Sequence, residues 1–163
     1  MPTNLEPPLD ARDIQILALL QRDASLTSAD VAKRLHLSQS PCWRRINRIE
    51  QAGLIQRRVA LLDREKLGME VVVFATIGLS VHGRTQLQAF EQEIAAHPEV
   101  VECYTMTGAW DYMLKIVTRD VRHYERFIRE HLLAMPAIRE MHSHVAVTEI
   151  KNSTQLPLET QLR

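Results

Sequence analysis

TSADVAKRLHLSQSPCWRRINRIEQAG, residues Thr27 to Gly53, reads as a short helix, a tight turn and a longer helix loaded with arginine. The Thr27 hydroxyl can cap the free N–H groups of the first helix, and Asp30 lies where the helix dipole favours an acid. Leu37-Ser38 interrupts the pattern, with Ser38 a second N-cap candidate and Pro41 in the first turn of the next helix, where a missing N–H costs nothing. Gly53 suits the left-handed position just past that helix. Two capped helices joined by so short a turn outline a helix-turn-helix, whose second helix enters the DNA major groove.

Facing sharpens the expectation. At about 100° per residue, Cys42, Ile46 and Ile49 share one side and pack inward. Ser40, Arg44 and Arg48 fall opposite, with Asn47 and Gln51 beside them. These side-chain types reach base edges and phosphates. From Lys33 to Arg58 there are seven basic side chains against Glu50 alone, a net of +6 in a chain whose formal total is zero. A solvated, salt-bridged helix face would mix the signs, so the pattern favours DNA. Gln39, Ser40 and Arg44 are the expected base readers. Lys33, Arg45, Arg48, Arg57 and Arg58 are expected on phosphates, with Asn47 on the same surface. Trp43, about 60° from Ile46, is expected at the core boundary, where packing is favoured over base contact.

Outward from this segment, Pro2, Pro7 and Pro8 mark a tail over residues 1–8. Asp10 can cap a first helix (about 10–22), which completes a three-helix unit with helices near 28–35 and 39–51. Leu54 to Leu62 reads as a short wing hairpin or an extended exit strand. The unit spans 9–62, its motif is centred on about 28–47, and 63–70 is a linker. After it the period changes. Val71–Leu79 is a β-branched run expected as a strand, Gly83–His97 a helix, Val100–Thr107 and Tyr112–Thr118 strands, Asp120–Ala134 a helix and Ala137–Ile150 a strand. The order βαββαβ predicts a four-stranded antiparallel sheet with both helices on one face, hence an α+β protein. This domain is expected over 71–151, with a polar tail over 152–163. Both faces of the first strand look apolar, so a homodimer through the open sheet face is expected.

Composition bounds the rest. Apolar content of 45% and charged content of 25% are those of an ordinary globular protein. No stretch approaches the ~18 apolar residues of a membrane span, and MPTNLEPPLD lacks the regions of a secretory leader. Cys42 and Cys103 match no metal or redox spacing and are expected as two buried thiols in a reducing compartment. Residues 1–68 carry 11 bases and 8 acids, residues 69–163 carry 9 and 12. The first part suits a polyanion and the second does not. The carboxylate pairs Glu91/Glu93 and Asp63/Glu65 fall on expected solvent faces or linkers, and no nucleophile elbow, phosphate loop or nucleotide fingerprint is present. No enzyme, cofactor or metal site is expected. His142 and His144 share a strand face, but two ligands do not make a metal site.

The strings Leu9-Asp10, Asp13, Ile16-Leu17, Leu37-Ser38, Pro41-Cys42, Arg45, Glu50, Gly53, Ala60-Leu61-Leu62-Asp63, Leu67-Gly68, Pro98-Glu99-Val100, Gly108, Asp111-Tyr112, Glu149 and Lys151-Asn152 stand in this order. In that order the chain resembles the leucine-responsive regulator (Lrp)/AsnC family of transcription regulators. The resemblance implies a winged helix-turn-helix followed by a ferredoxin-like (ACT-like) ligand-binding and oligomerisation domain. It also implies double-stranded DNA as partner, dimers assembling to tetramers or octamers, a nucleoid-associated cytoplasmic location, and an amino acid or related metabolite as effector bound between dimers. Two departures stand out: His36 at a turn position where the family has glycine, and Trp43 in place of a family leucine. On its own, Gly108-Ala109-Trp110-Asp111 reads as a plain turn in preference to a ligand loop, with Gly for positive φ and Asp bonding its own backbone. The resemblance makes Thr107, Gly108, Ala109, Trp110, Asp111 and Tyr112 the expected effector loop, with Asp111 pairing the α-ammonium group. Met135, His142 and Ser143 are expected to add to its wall. A sensor acting through protein partners rather than DNA is the alternative, against which the arginine-rich face argues.

Overall fold

A computed structural model describes residues 8–80 and 83–158, so the expected tail up to residue 7 and the final residues 159–163 lie outside the described residues. The chain divides into two compact units. One holds the chain up to Leu61 together with the segment from Lys151 onward, the other Leu62–Ile150.

The first unit is built on α1 (Ala11–Leu20), α2 (Ser28–Arg34) and α3 (Gln39–Gln51). Asp10 opens α1 and Thr27 opens α2, each in a reciprocal capping box whose third helical residue, Asp13 or Asp30, bonds back to the cap backbone. Ser38 stands at the N-cap of α3 as expected, but its side chain makes no cap hydrogen bond. Two helices end alike. After α2, Leu37 N donates to Ala32 O and His36 N to Lys33 O, while after α3, Leu54 N donates to Ile49 O and Gly53 N to Glu50 O. Both are Schellman closures, which need a left-handed residue. Gly53 supplies it at φ 72° and His36 at φ 52°. Ile16, Leu20, Leu26, Val31, Cys42, Ile46 and Ile49 form the core, so the expected inward face of α3 is the observed one.

No wing forms. Residues 54–62 contain no strand, so neither the hairpin nor the exit strand forms. The C-terminal segment is also not a free tail. Gln21 Nε2 donates to Leu156 O (3.2 Å) and Leu156 N to Gln21 Oε1 (2.9 Å), so one side-chain amide holds both backbone groups of Leu156. A cavity of about 720 Å³ lies there between α1, Leu54-Ile55 and Pro157-Leu158.

The second unit is β1 (Val71–Leu79), α4 (Arg84–Ala96), β2 (Val100–Thr105), β3 (Tyr112–Thr118), α5 (Val121–Phe127) and β4 (Ile138–Val145). Strand order is β2-β3-β1-β4, all antiparallel, as the βαββαβ reading requires. The last helix ends differently from expectation: after Phe127 it widens into a π turn over Ile128–Leu132. The final strand stops at Val145 rather than Ile150. Val73, Ala75, Ile77 and Leu79 of β1 and Tyr112, Leu114 and Ile116 of β3 face the helices and pack on Phe90, Ile94 and Phe127. Phe74 of β1, paired with Lys115 and His144, lies on the other face with Glu102 and Tyr104 of β2. Phe74 and Tyr104 stay exposed there. Cys42 is buried as expected, and burial pushes its thiol pKa up; Cys103 is exposed, because β2 is an edge strand.

Candidate functional site

The outer face of α3 presents Gln39, Ser40, Trp43, Arg44 and Gln51 to solvent, with Asn47 partly covered. Lys33 projects from the last turn of α2, and Arg57 is exposed beyond α3. The side chains expected on DNA at these positions are thus accessible. Trp43 does not match its expectation: it is 53% exposed. Its direction is about 90° from the centre of the buried face.

Arg45 and Arg48 also need correcting. Asp13 is fully buried, and its carboxylate accepts from Arg45 Nη1 (2.8 Å) and from Arg48 Nη2. Arg45 Nη1 also donates to Asp10 Oδ2 at 2.6 Å. A buried carboxylate is tolerated only when paired and hydrogen-bonded, and two guanidiniums meet that demand. Both arginines therefore brace α3 against α1 rather than standing ready for phosphate. The Asp13 N–H, then the Arg45 guanidinium, hold the Asp10 carboxyl below its ordinary 3.8. Arg58 is likewise engaged, with Glu50 Oε1 at 2.8 Å and Ala24 O at 3.1 Å. For Arg45 and Arg48 the local charge count missed this because the neutralising acids lie 32 to 35 residues upstream. The Asp10/Asp13 pair at capping-box spacing was the available signal. Arg44 remains, lining an open cleft with Pro8, Asp10 and Pro41.

The expected effector residues separate into two groups. Thr107, Gly108 and Ala109 are exposed at the β2–β3 turn, where Gly108 adopts φ 112°. Trp110 packs on His142 with ring centroids 4.6 Å apart, joining the turn to the open face of β4. Asp111 accepts from Leu79 N through Oδ2 (2.7 Å), and its own N–H donates to Ile77 O (2.9 Å). One oxygen of the expected ammonium partner thus pins the bulge at Gly78/Leu79.

Tyr112, Met135 and Ser143 do not join them. Tyr112 is 3% exposed on the helix side, where its hydroxyl donates to Glu91 Oε1 (2.8 Å). Burial first, then Glu91, pushes its pKa up to about 12. Met135 is in the core, 4% exposed, and Ser143 Oγ is hydrogen-bonded to the Tyr124 hydroxyl at 2.5 Å. Alternation explains the last case: neighbours on a strand face opposite ways, so His142 and Ser143 cannot line one wall. The carboxylates first noted as pairs are occupied separately, Glu91 by Tyr112 and Asp63 by Lys66. Among the described residues no group of three metal-ligating side chains assembles.

Residues 72–156 match the Lrp/AsnC ligand binding domain, and residues 9–56 a winged helix-turn-helix DNA-binding family. Transcriptional regulator AzlB of Bacillus subtilis is 38% identical over 151 residues, spanning 93% of this chain and 96% of that protein. The crystal structure of an AsnC family transcriptional regulator from Agrobacterium tumefaciens superposes with a TM-score of 0.90 at 42% identity, covering 94% of this chain and 100% of that one. A Neisseria meningitidis transcriptional regulator solved as a complex with L-Met does so at 0.91 and 32%, covering 95% and 100%. With a helix-turn-helix carrying an outward polar and arginine face and a ligand-binding βαββαβ sheet in one chain, the protein belongs to the Lrp/AsnC family of DNA-binding transcriptional regulators.

Proposed function

We propose that this chain is a sequence-specific regulator in the bacterial nucleoid whose DNA binding is tuned by an amino acid or a related metabolite. Gln39, Ser40 and Arg44 read base edges, while Lys33 and Arg57 hold phosphates. The working unit is a homodimer closed over the open sheet face, where Phe74 and Tyr104 leave apolar area exposed, and dimers assemble further to tetramers or octamers. The effector lies at the β2–β3 turn. Backbone N–H groups around Gly108 receive its carboxylate, Asp111 Oδ1 meets its ammonium group, and a second copy completes the wall.

The observation that carries the effector reading is the Trp110–His142 contact, which brings the turn and β4 into one surface with a glycine at its rim. The L-Met complex of the Neisseria regulator supports the ligand class. A thermal-shift screen of the twenty amino acids tests it, since a ligand that binds only the native state raises the melting temperature. One or a few amino acids should do so. Asp111→Asn should lose that shift while melting like wild type without ligand, because its amide oxygen still accepts from Leu79 N–H. No shift with any amino acid, or an Asp111→Asn response equal to wild type, would overturn the assignment.

A further inference from the structure

Trp43 has no role in the fold that its position explains. Of the large apolar side chains carried on α1, α2 and α3 it is the one that is exposed, at 53%. It makes no ring-stacking contact among the described residues, whereas the other tryptophan packs on His142. Its neighbours are those of a reading surface. Gln39, Trp43 and Asn47 form one row at i, i+4 spacing along α3, and Ser40 and Arg44 form the row beside it. A tryptophan here leaves about half of its large surface in water, apolar area that a base contact would bury.

We propose that Trp43 is a specificity-determining residue that packs against the 5-methyl group of a thymine in the major groove. Base edges in that groove offer donors and acceptors, and the thymine methyl is the one apolar group among them. Gln39 and Asn47, one turn to either side, supply the hydrogen bonds that bracket such a contact. The thymine it selects lies beside the base that Arg44 contacts, because the two side chains are neighbours on the helix.

The proposal rests on the DNA-reading assignment of α3, and the test separates the two. Wild-type protein first selects its preferred duplex from a randomised pool. Each thymine of that duplex is then replaced singly by deoxyuridine, which removes the methyl group and leaves the pairing edge. Affinities are measured for wild type, Trp43→Ala and Trp43→Leu. Loss of one buried methyl should weaken wild type roughly fourfold at one thymine per half-site. Trp43→Ala should be indifferent to the same change, and Trp43→Leu should retain part of the discrimination. All three proteins should melt alike, since the side chain supports no core. Uniform weakening of Trp43→Ala on every sequence with no thymine-specific coupling would overturn the proposal, as would Trp43→Ala binding like wild type. Failure of wild type to select any sequence would instead overturn the reading of α3 itself.

Discussion

Replacing Asp13 with alanine removes the acid on which α1 and α3 converge. The carboxylate is fully buried and takes hydrogen bonds from Arg45 Nη1, Arg48 Nη2 and the Asp10 N–H. Breaking a buried charge pair by deleting one partner costs about 3–5 kcal/mol. The two guanidiniums keep 33% and 26% of their side-chain surface exposed, so water relieves part of that penalty and the lower end applies. Loss of the reciprocal capping bond adds a share of about 1 kcal/mol. A total near 4 kcal/mol would lower the melting temperature of a unit this size by about 16–32 °C. Calorimetry together with far-ultraviolet circular dichroism would follow the helical transition. A companion variant, Asp13→Leu with Arg45→Met and Arg48→Met, replaces the whole cluster by apolar volume and should regain most of the lost stability. If Asp13→Ala melts within about 4 °C of wild type, the cluster is not a brace, and both arginines return to the list of phosphate contacts.

Other consequences follow from single contacts. Arg44→Ala should cost ~1–3 kcal/mol of specific binding and relax selectivity at one base position, whereas Arg57→Ala should weaken all duplexes alike and reduce the salt slope by about 1. Fluorescence anisotropy across a salt series checks both. His36→Gly should stabilise the helical unit by about 1 kcal/mol, because glycine holds the left-handed position without the Cβ penalty; an unchanged or lower thermal midpoint would contradict the strain. Ending the chain at Ile150, or substituting Gln21→Ala, should lower the melting temperature of the helical unit by several degrees, since each removes the clamp on Leu156. Hydrogen exchange in α1 should rise in both variants. Acid stability has a defined sign. Asp10, Asp30 and Asp120 are held below 3.8, mainly by hydrogen bonds at helix N-termini. Their contribution is complete above that value and is lost as pH falls through the lower folded-state pKa values. Melting temperature should therefore be insensitive to these groups between pH 7 and about 5 and should drop below about pH 4.

What could be read in the sequence was what depends on neighbours along the chain. Capping boxes span three residues, so Asp10 and Thr27 were legible as helix starts, although not their reciprocal partners' second duties. The buried side of α3 followed from helical period, and the order βαββαβ from the change of period after Val71. The failures share a cause, which is contact between distant segments. Arg45 and Arg48 look like free cations until α1 brings Asp13 against them. Trp43 looks like a boundary residue until no element arrives to cover it. The end of the chain looks like a polar tail until Gln21 captures Leu156. Ser143 is different: strand alternation alone separates it from His142, so that error was avoidable. Met135 was not, because the π turn after Phe127 decides where it faces.

The family match assigns residues up to 156 to the ligand-binding part, yet residues 151–158 belong with the helical unit. Covalently, the two units are therefore joined at two places, 61–62 and 150–151.

The central claim is that α3 reads DNA sequence through its outward face. It is tested most directly by comparing affinity for the selected duplex and for random duplex at matched salt concentrations across a salt series. The account predicts a selected site at least ~10³-fold tighter than random DNA, with both affinities falling as salt rises. Equal affinity for the two duplexes, or binding indifferent to salt, would contradict it.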